Sequence, residues 1–264
     1  MAKLAEVFLQ TPIAHRGLHD IESGVQIESG VQENSRSAFI AALKHGYAIE
    51  LDLQLSRDGE AMVFHDYDMA RLTDETGPVQ QRMAADLRKT PLKIGGEAIL
   101  DLGAVLRLIN AEVPILIELK DQDGGLGPNV GRLEARVAEL LANYTGPVAV
   151  MSFNPHSMIV MSELAPDIVR GLTTSDFSAE MISQDRAAEL RDISDFGRAK
   201  CSFISHDWRQ LDSAPVARLK AQNTPVLCWT IRSRAEEEKA RNIADNITFE
   251  GYLPASLHKS IRTA

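Results

Sequence analysis

The sequence predicts a single closed (β/α)8 barrel, a TIM barrel. Two observations carry that expectation: strand-like and helix-like patterns alternate along the whole chain, and no Pro-, Gly- or Ser-rich linker interrupts them. Apolar runs suited to strands fall near 12–15, 48–54, 114–119, 147–151, 167–171, 202–206, 225–230 and 246–249. Helical patterns lie between them near 34–45, 101–110, 130–143, 155–164, 178–190, 212–222 and 233–243. An open doubly wound sheet would produce most of this alternation, but a chain of 264 residues suits one barrel as a single domain.

Taken in order, the first run, TPIAH, ends at His15 and is followed by Arg16 and Gly17. The second run alternates strictly: Ile49, Leu51, Leu53 and Leu55 share one face, and Glu50, Asp52 and Gln54 share the other. One face of that strand is therefore acidic, and its side-by-side carboxylates need a compensating cation. The segment 59–100 breaks the rhythm with a short strand ending at His65, then turn-rich sequence and the helical stretch RMAADLRK, too long for a plain connection. It reads as a small inserted region after the second strand. Later helices open on cap signals such as Asn154-Pro155 and Ser233. IESGVQ occurs twice in tandem, at 21–26 and 27–32, which is a duplicated loop or a lid rather than a repeat architecture.

Composition narrows the partners. A net charge of −9 opposes binding to polyphosphate backbones, so nucleic acid is not expected as a partner. Apolar runs are too short and too interrupted to span a bilayer. The N-terminal sequence lacks an apolar leader, and Cys201 and Cys228 are too sparse for a disulfide framework, which together point to the cytoplasm and reduced thiols.

In a parallel barrel, function collects at the C-terminal ends of the strands. His15, Arg16, Glu50, Asp52, Glu118, Lys120 and Trp229 fall at such ends, with His65 supplied by the inserted strand. Glu50, Asp52 and Glu118 form an all-oxygen set suited to Mg²⁺ or Ca²⁺ rather than zinc, although each carboxylate alone has a salt bridge to a neighbouring base as its structural alternative. His15 and His65 are candidates for a general acid and base pair, and Arg16 and Lys120 for fixed positive charge beside an anion. A small-molecule phosphoryl substrate fits that combination.

The ordered series HRG at 15–17, EN at 33–34, ELD at 50–52, DG at 58–59, HD at 65–66, ELK at 118–120, SFN at 152–154 and CWT at 228–230 resembles the glycerophosphodiester phosphodiesterases. The resemblance covers nearly the whole chain. It implies a TIM barrel with a small insert after the second strand, His15 and His65 as the catalytic pair, and Glu50, Asp52 and Glu118 as metal ligands. It further implies that Arg16 and Lys120 hold the phosphate and that Trp229 forms an apolar wall beside the glycerol or the leaving group. Phe153 is a second candidate for that wall, with core packing as its alternative; Glu33 would orient a histidine or approach the metal. The implied reaction is hydrolysis of a glycerophosphodiester to glycerol 3-phosphate and an alcohol.

The chain departs from that pattern around the substrate. Gln32 replaces the usual proline before EN, the loop before it is longer, Arg232 replaces an asparagine, and Asp245-Asn246-Ile247 with Glu250 replaces the usual sequence near the last strand. A guanidinium at 232 suits an anionic or polyhydroxyl alcohol better than choline. Three alternatives stand beside this reading: a sphingomyelinase D-like enzyme forming a cyclic phosphate, a Schiff-base lyase using Lys120, and a barrel that binds a phosphodiester without turnover.

Overall fold

The computed structural model describes residues 2–19, 30–178 and 182–255. The first IESGVQ copy and the start of the second lie outside the described residues, so neither reading of the duplication is addressed. Eight parallel strands close into a barrel: β1 (Ile13–Ala14), β2 (Ala48–Leu55), then β4 (Ile115–Leu119), β5 (Val148–Ser152), β6 (Val169–Thr174), β7 (Phe203–Asp207), β8 (Val226–Ile231) and β9 (Asn246–Phe249). Closure comes from β1, which pairs in parallel with both β2 and β9. β3 (Ala61–Val63) lies outside this ring, antiparallel to the end of β2.

The strand alternation sorts residues between two cores. Ile49, Leu51, Leu53 and Leu55 face outward into the layer between barrel and helices, which also takes Ile115, Ile117, Ile204 and Cys228. Inside the barrel, Ile13, Ala48, Leu116, Ala149, Phe203 and Leu227 fill the lower end, and the short helix α1 (Val7–Gln10) closes it with Phe8. That helix was not foreseen, because four residues are too few to establish a period. At Gly171 an added Cβ would lie 2.5 Å from the Phe203 ring, so the interior aromatic is admitted only by a glycine opposite it.

The outer helices follow the predicted positions, most with shorter ends. They are α2 (Arg36–His45), α4 (Leu102–Ile109), α5 (Arg132–Leu141), α6 (Pro155–Leu164), α7 (Gln184–Arg191), α8 (Ala214–Ala221) and α9 (Arg234–Ala240). Side-chain caps define several starts: Ser35, Asp101, Asn154, Ser183 and Ser233 each accept a backbone N–H of the first turn. β6 runs three residues beyond its predicted end, because Leu172, Thr173 and Thr174 pair with β7 and the polarity of the two threonines hid the strand. Between β3 and α4, residues 64–101 carry α3 (Ala84–Leu87) and supply Phe64, Met69, Leu72, Val79, Leu87, Leu92 and Ile99 to a separate apolar cluster that also takes Met62 of β3. Among the described residues no helix is long and apolar enough to cross a membrane.

Candidate active site

The inward face of β2 places Glu50 opposite Leu116 and Asp52 opposite Glu118 of β4, so the barrel interior changes from apolar to acidic toward the C-terminal end. One carboxylate oxygen from each of Glu50, Asp52 and Glu118 lies within 4.8 Å of the others, and all three residues are buried. Burial, together with the negative charges of Asp52 and Glu118, pushes the Glu50 carboxyl well above the usual carboxylate range. Asp52 moves the other way: burial opposes its charge, but Lys120, His65 and Arg16 hold it well below its usual value. Two bases therefore neutralise part of the cluster: Lys120 Nζ lies 2.9 Å from Asp52 Oδ1 and also contacts Glu118, and Arg16 Nε lies 3.2 Å from Asp52 Oδ2. The salt-bridge alternative thus holds for Asp52 and Glu118, while Glu50 accepts the Arg16 backbone N–H at 2.8 Å. Three buried carboxylates facing two cations suit a further hard cation held by oxygen ligands.

The sequence tripeptides acquire physical roles here. Arg16 adopts a left-handed conformation (φ 55°), followed by Gly17 at φ 80°, and this turn aims the Arg16 amide at Glu50. A Cβ on Gly17 would come within 2.8 Å of Ala38 Cβ, so no larger residue fits. Glu33 accepts from Arg16 Nη1 at 2.7 Å and is pinned by Arg71, which also grips Asp66. Asn34, also left-handed, donates its amide to Asp52 at 2.9 Å. Glu33 thus approaches an arginine, not a histidine.

His15 Nδ1 lies 2.6 Å from Glu250 Oε2, and His65 Nδ1 lies 2.6 Å from Asp66 Oδ1. Burial, reinforced by the Arg16 charge, lowers the His15 pKa to about 4 against the opposing pull of Glu250. A neutral imidazole that gives its Nδ1–H to a carboxylate leaves Nε2 able to accept a proton. Arg232 Nη2 holds the other oxygen of Glu250 at 2.6 Å.

These residues line a cleft of about 490 Å³ bounded by His15, Arg16, Glu50, Asp52, His65, Glu118, Lys120, Met151, Phe153, Trp229 and Arg232. All the predicted site residues but Glu33 border it; Glu33 braces Arg16 from one layer behind. Trp229 donates its indole N–H to Ser205 O at 3.0 Å and stacks edge-on against Phe153 with centroids 5.5 Å apart. Phe153 both borders the cleft and packs on Phe177 in a small apolar cluster. Reasoning from sequence missed Asn34, Asp66, Arg71 and Glu250 as supporting residues. Asn34 and Asp66 were visible in the EN and HD pairs; Arg71 carries no motif, since its place depends on how the 64–101 region folds back.

A parallel barrel with carboxylates, histidines and bases at its strand ends defines the class: a TIM-barrel enzyme with a site suited to an anionic substrate and a divalent cation. The glycerophosphoryl diester phosphodiesterase family model matches residues 15–246, and the chain belongs to that family. The Bacillus subtilis protein YhdW, provisionally named a glycerophosphodiester phosphodiesterase, is 27% identical over 236 residues, covering 86% of this chain and 88% of its own. A glycerophosphodiester phosphodiesterase of Caldanaerobacter subterraneus is 31% identical over 169 residues, or 61% of this chain and 65% of its own. Among solved structures, an Oleispira antarctica phosphodiesterase in complex with the product sn-glycerol-3-phosphate superposes with a TM-score of 0.72 at 25% identity, covering 93% of this chain and 94% of that one.

Proposed function

We propose that the chain hydrolyses glycerophosphodiesters to glycerol 3-phosphate and an alcohol. In this reading Glu50, Asp52 and Glu118 hold a divalent cation, and His15 and His65 move the protons. The observation that carries it is the convergence on one cleft of three clustered carboxylates, two histidines anchored through Nδ1, and the cations Arg16 and Lys120. Family membership supports the diester as substrate. Bound Mg²⁺ or Ca²⁺ would polarise a nonbridging phosphoryl oxygen and offset its developing charge.

Arg16 and Lys120 line the cleft beside Asp52 and Glu118, and these two cations would pair with the phosphate. One histidine takes a proton through Nε2 from the attacking water as its oxygen bonds to phosphorus, and the other gives a proton to the departing alkoxide as its P–O bond breaks. Trp229 and Phe153 offer an apolar wall to the glycerol carbons. A Schiff-base role for Lys120 is disfavoured: burial opposes its charge, yet Asp52 and Glu118 hold its pKa above the usual range, and a protonated amine is no nucleophile. Two buried free thiols suit a cytoplasmic setting.

The test is turnover of glycerophosphodiesters, lysophospholipids and bis-p-nitrophenyl phosphate with and without chelator. Release of glycerol 3-phosphate, lost on chelation, supports the reading. A cyclic phosphate product or chelator-resistant turnover would overturn its hydrolytic or metal-dependent part, respectively.

A further inference from the structure

A second cavity of about 420 Å³ adjoins the cleft and shares His15, Arg16 and Arg232 with it. Its other walls are His19, Val31, Gln32, Glu33 and Glu250 from the barrel rim, and Arg71, Leu72, Lys93 and Ile94 from the region between β3 and α4. Buried Gln32 builds the junction: its amide donates to Leu72 O at 2.9 Å, and its carbonyl accepts Ile94 N–H at 2.9 Å. The residue standing in place of a proline thus clamps the two walls together through both ends of its side chain.

Four cationic side chains, Arg16, Arg71, Lys93 and Arg232, face this space against the carboxylates Glu33 and Glu250. In a protein of net charge −9 that is a local reversal of sign. Arg71 is committed to Glu33 and Asp66. Arg232 meets Glu250 through Nη2, and its side chain is 59% exposed. Lys93 donates to Ala70 O at 2.7 Å and forms no ion pair among the described residues.

A phosphodiester has two arms. If its phosphorus sits at the carboxylate cluster and its glycerol lies against Trp229 and Phe153, the second arm has this cavity open to it past His15. We propose that the second cavity is a subsite for the alcohol arm and that it selects an alcohol carrying a further phosphate. Lys93 and the open edge of Arg232 are the recognising groups. A tetrahedral phosphate meets donors arriving from two separate walls better than a planar carboxylate does. This inference rests on the phosphodiesterase reading and adds the class of alcohol.

The experiment compares kcat/KM for glycerophosphoglycerol with that for the same diester bearing a terminal phosphate on the alcohol, in wild type and Lys93→Gln. The phosphorylated substrate is expected to be preferred by about tenfold, with the preference carried by KM, falling several-fold in Lys93→Gln and eroded by 0.5 M NaCl. Equal kcat/KM for the pair, or a preference unmoved by Lys93→Gln, would overturn the subsite. A diester with a carboxylate on the alcohol that matched the phosphorylated one would overturn the choice of phosphate. If neither diester is turned over, the phosphodiesterase reading fails separately. Calorimetric binding of glycerophosphoglycerol phosphate, several-fold weaker in Lys93→Gln, would then still support the site, and undetectable binding would refute it.

Discussion

His15 and Arg232 hold opposite oxygens of one carboxylate: Glu250 Oε2 lies 2.6 Å from His15 Nδ1, and Oε1 lies 2.6 Å from Arg232 Nη2. Glu250 is therefore the hinge through which a solvent-facing guanidinium acts on a largely buried imidazole. Glu250→Gln removes the charge but keeps the shape, and kcat should fall about tenfold to a hundredfold with KM nearly unchanged. Arg232→Asn should lower kcat less, because His15 keeps its carboxylate. Steady-state kinetics on one diester checks both; wild-type kcat in Glu250→Gln would refute the positioning role.

The carboxylate cluster makes the clearest prediction about metal. EDTA should abolish turnover, and Mg²⁺ or Ca²⁺ should restore it. Glu50→Gln or Asp52→Asn should weaken metal affinity by about tenfold or more while the barrel stays folded by circular dichroism. Full turnover after exhaustive chelation would rule the cluster out as the catalytic metal site.

Each histidine should matter on its own. His15→Ala and His65→Ala should each lower kcat by a factor of about 10², and the double variant should be little worse than the poorer single one, since residues acting as a unit are not additive. A good leaving group separates their roles: the variant partly rescued on bis-p-nitrophenyl phosphate has lost the acid. Near-normal turnover in both single variants would make them structural histidines.

Stability should fall with acid in two stages. Burial holds His15 near pKa about 4 in the fold, below its ordinary 6.5, so the unfolded chain takes up a proton first and stability is lost as pH falls from about 6.5 to 4. Burial alone would raise Glu250, but its hydrogen bond to His15 and the charges of His15 and Arg232 bring it to about 2, so its contribution is lost between about 4.5 and 2. The first stage is worth about 3 kcal/mol by linkage. Urea titrations of the chelated protein across this range measure it. His15→Gln should flatten the upper stage, and an unchanged profile would count against the buried neutral imidazole.

Periodicity alone determined most of the architecture. The strict alternation of β2 predicts both its buried apolar face and its inward carboxylates, and eight such runs divided by helices are met by eight parallel strands closed through β1. Local cap chemistry placed helix starts at Ser233 and Asn154, because a cap needs only its own first turn. What sequence could not decide was long-range neutralisation. Arg16 with Asp52, Lys120 with Asp52, Arg71 with Glu33, and Arg232 with Glu250 join residues distant in sequence that only the folded chain brings together. Gln32 shows the same limit: as a sequence departure it suggested only an altered loop, while in the fold it ties Leu72 to Ile94 and shapes a second cavity. Pattern reads which face a side chain takes, because that depends on neighbours two to four positions away. Partner choice across the barrel mouth depends on strand order and ring closure, which only the tertiary structure sets.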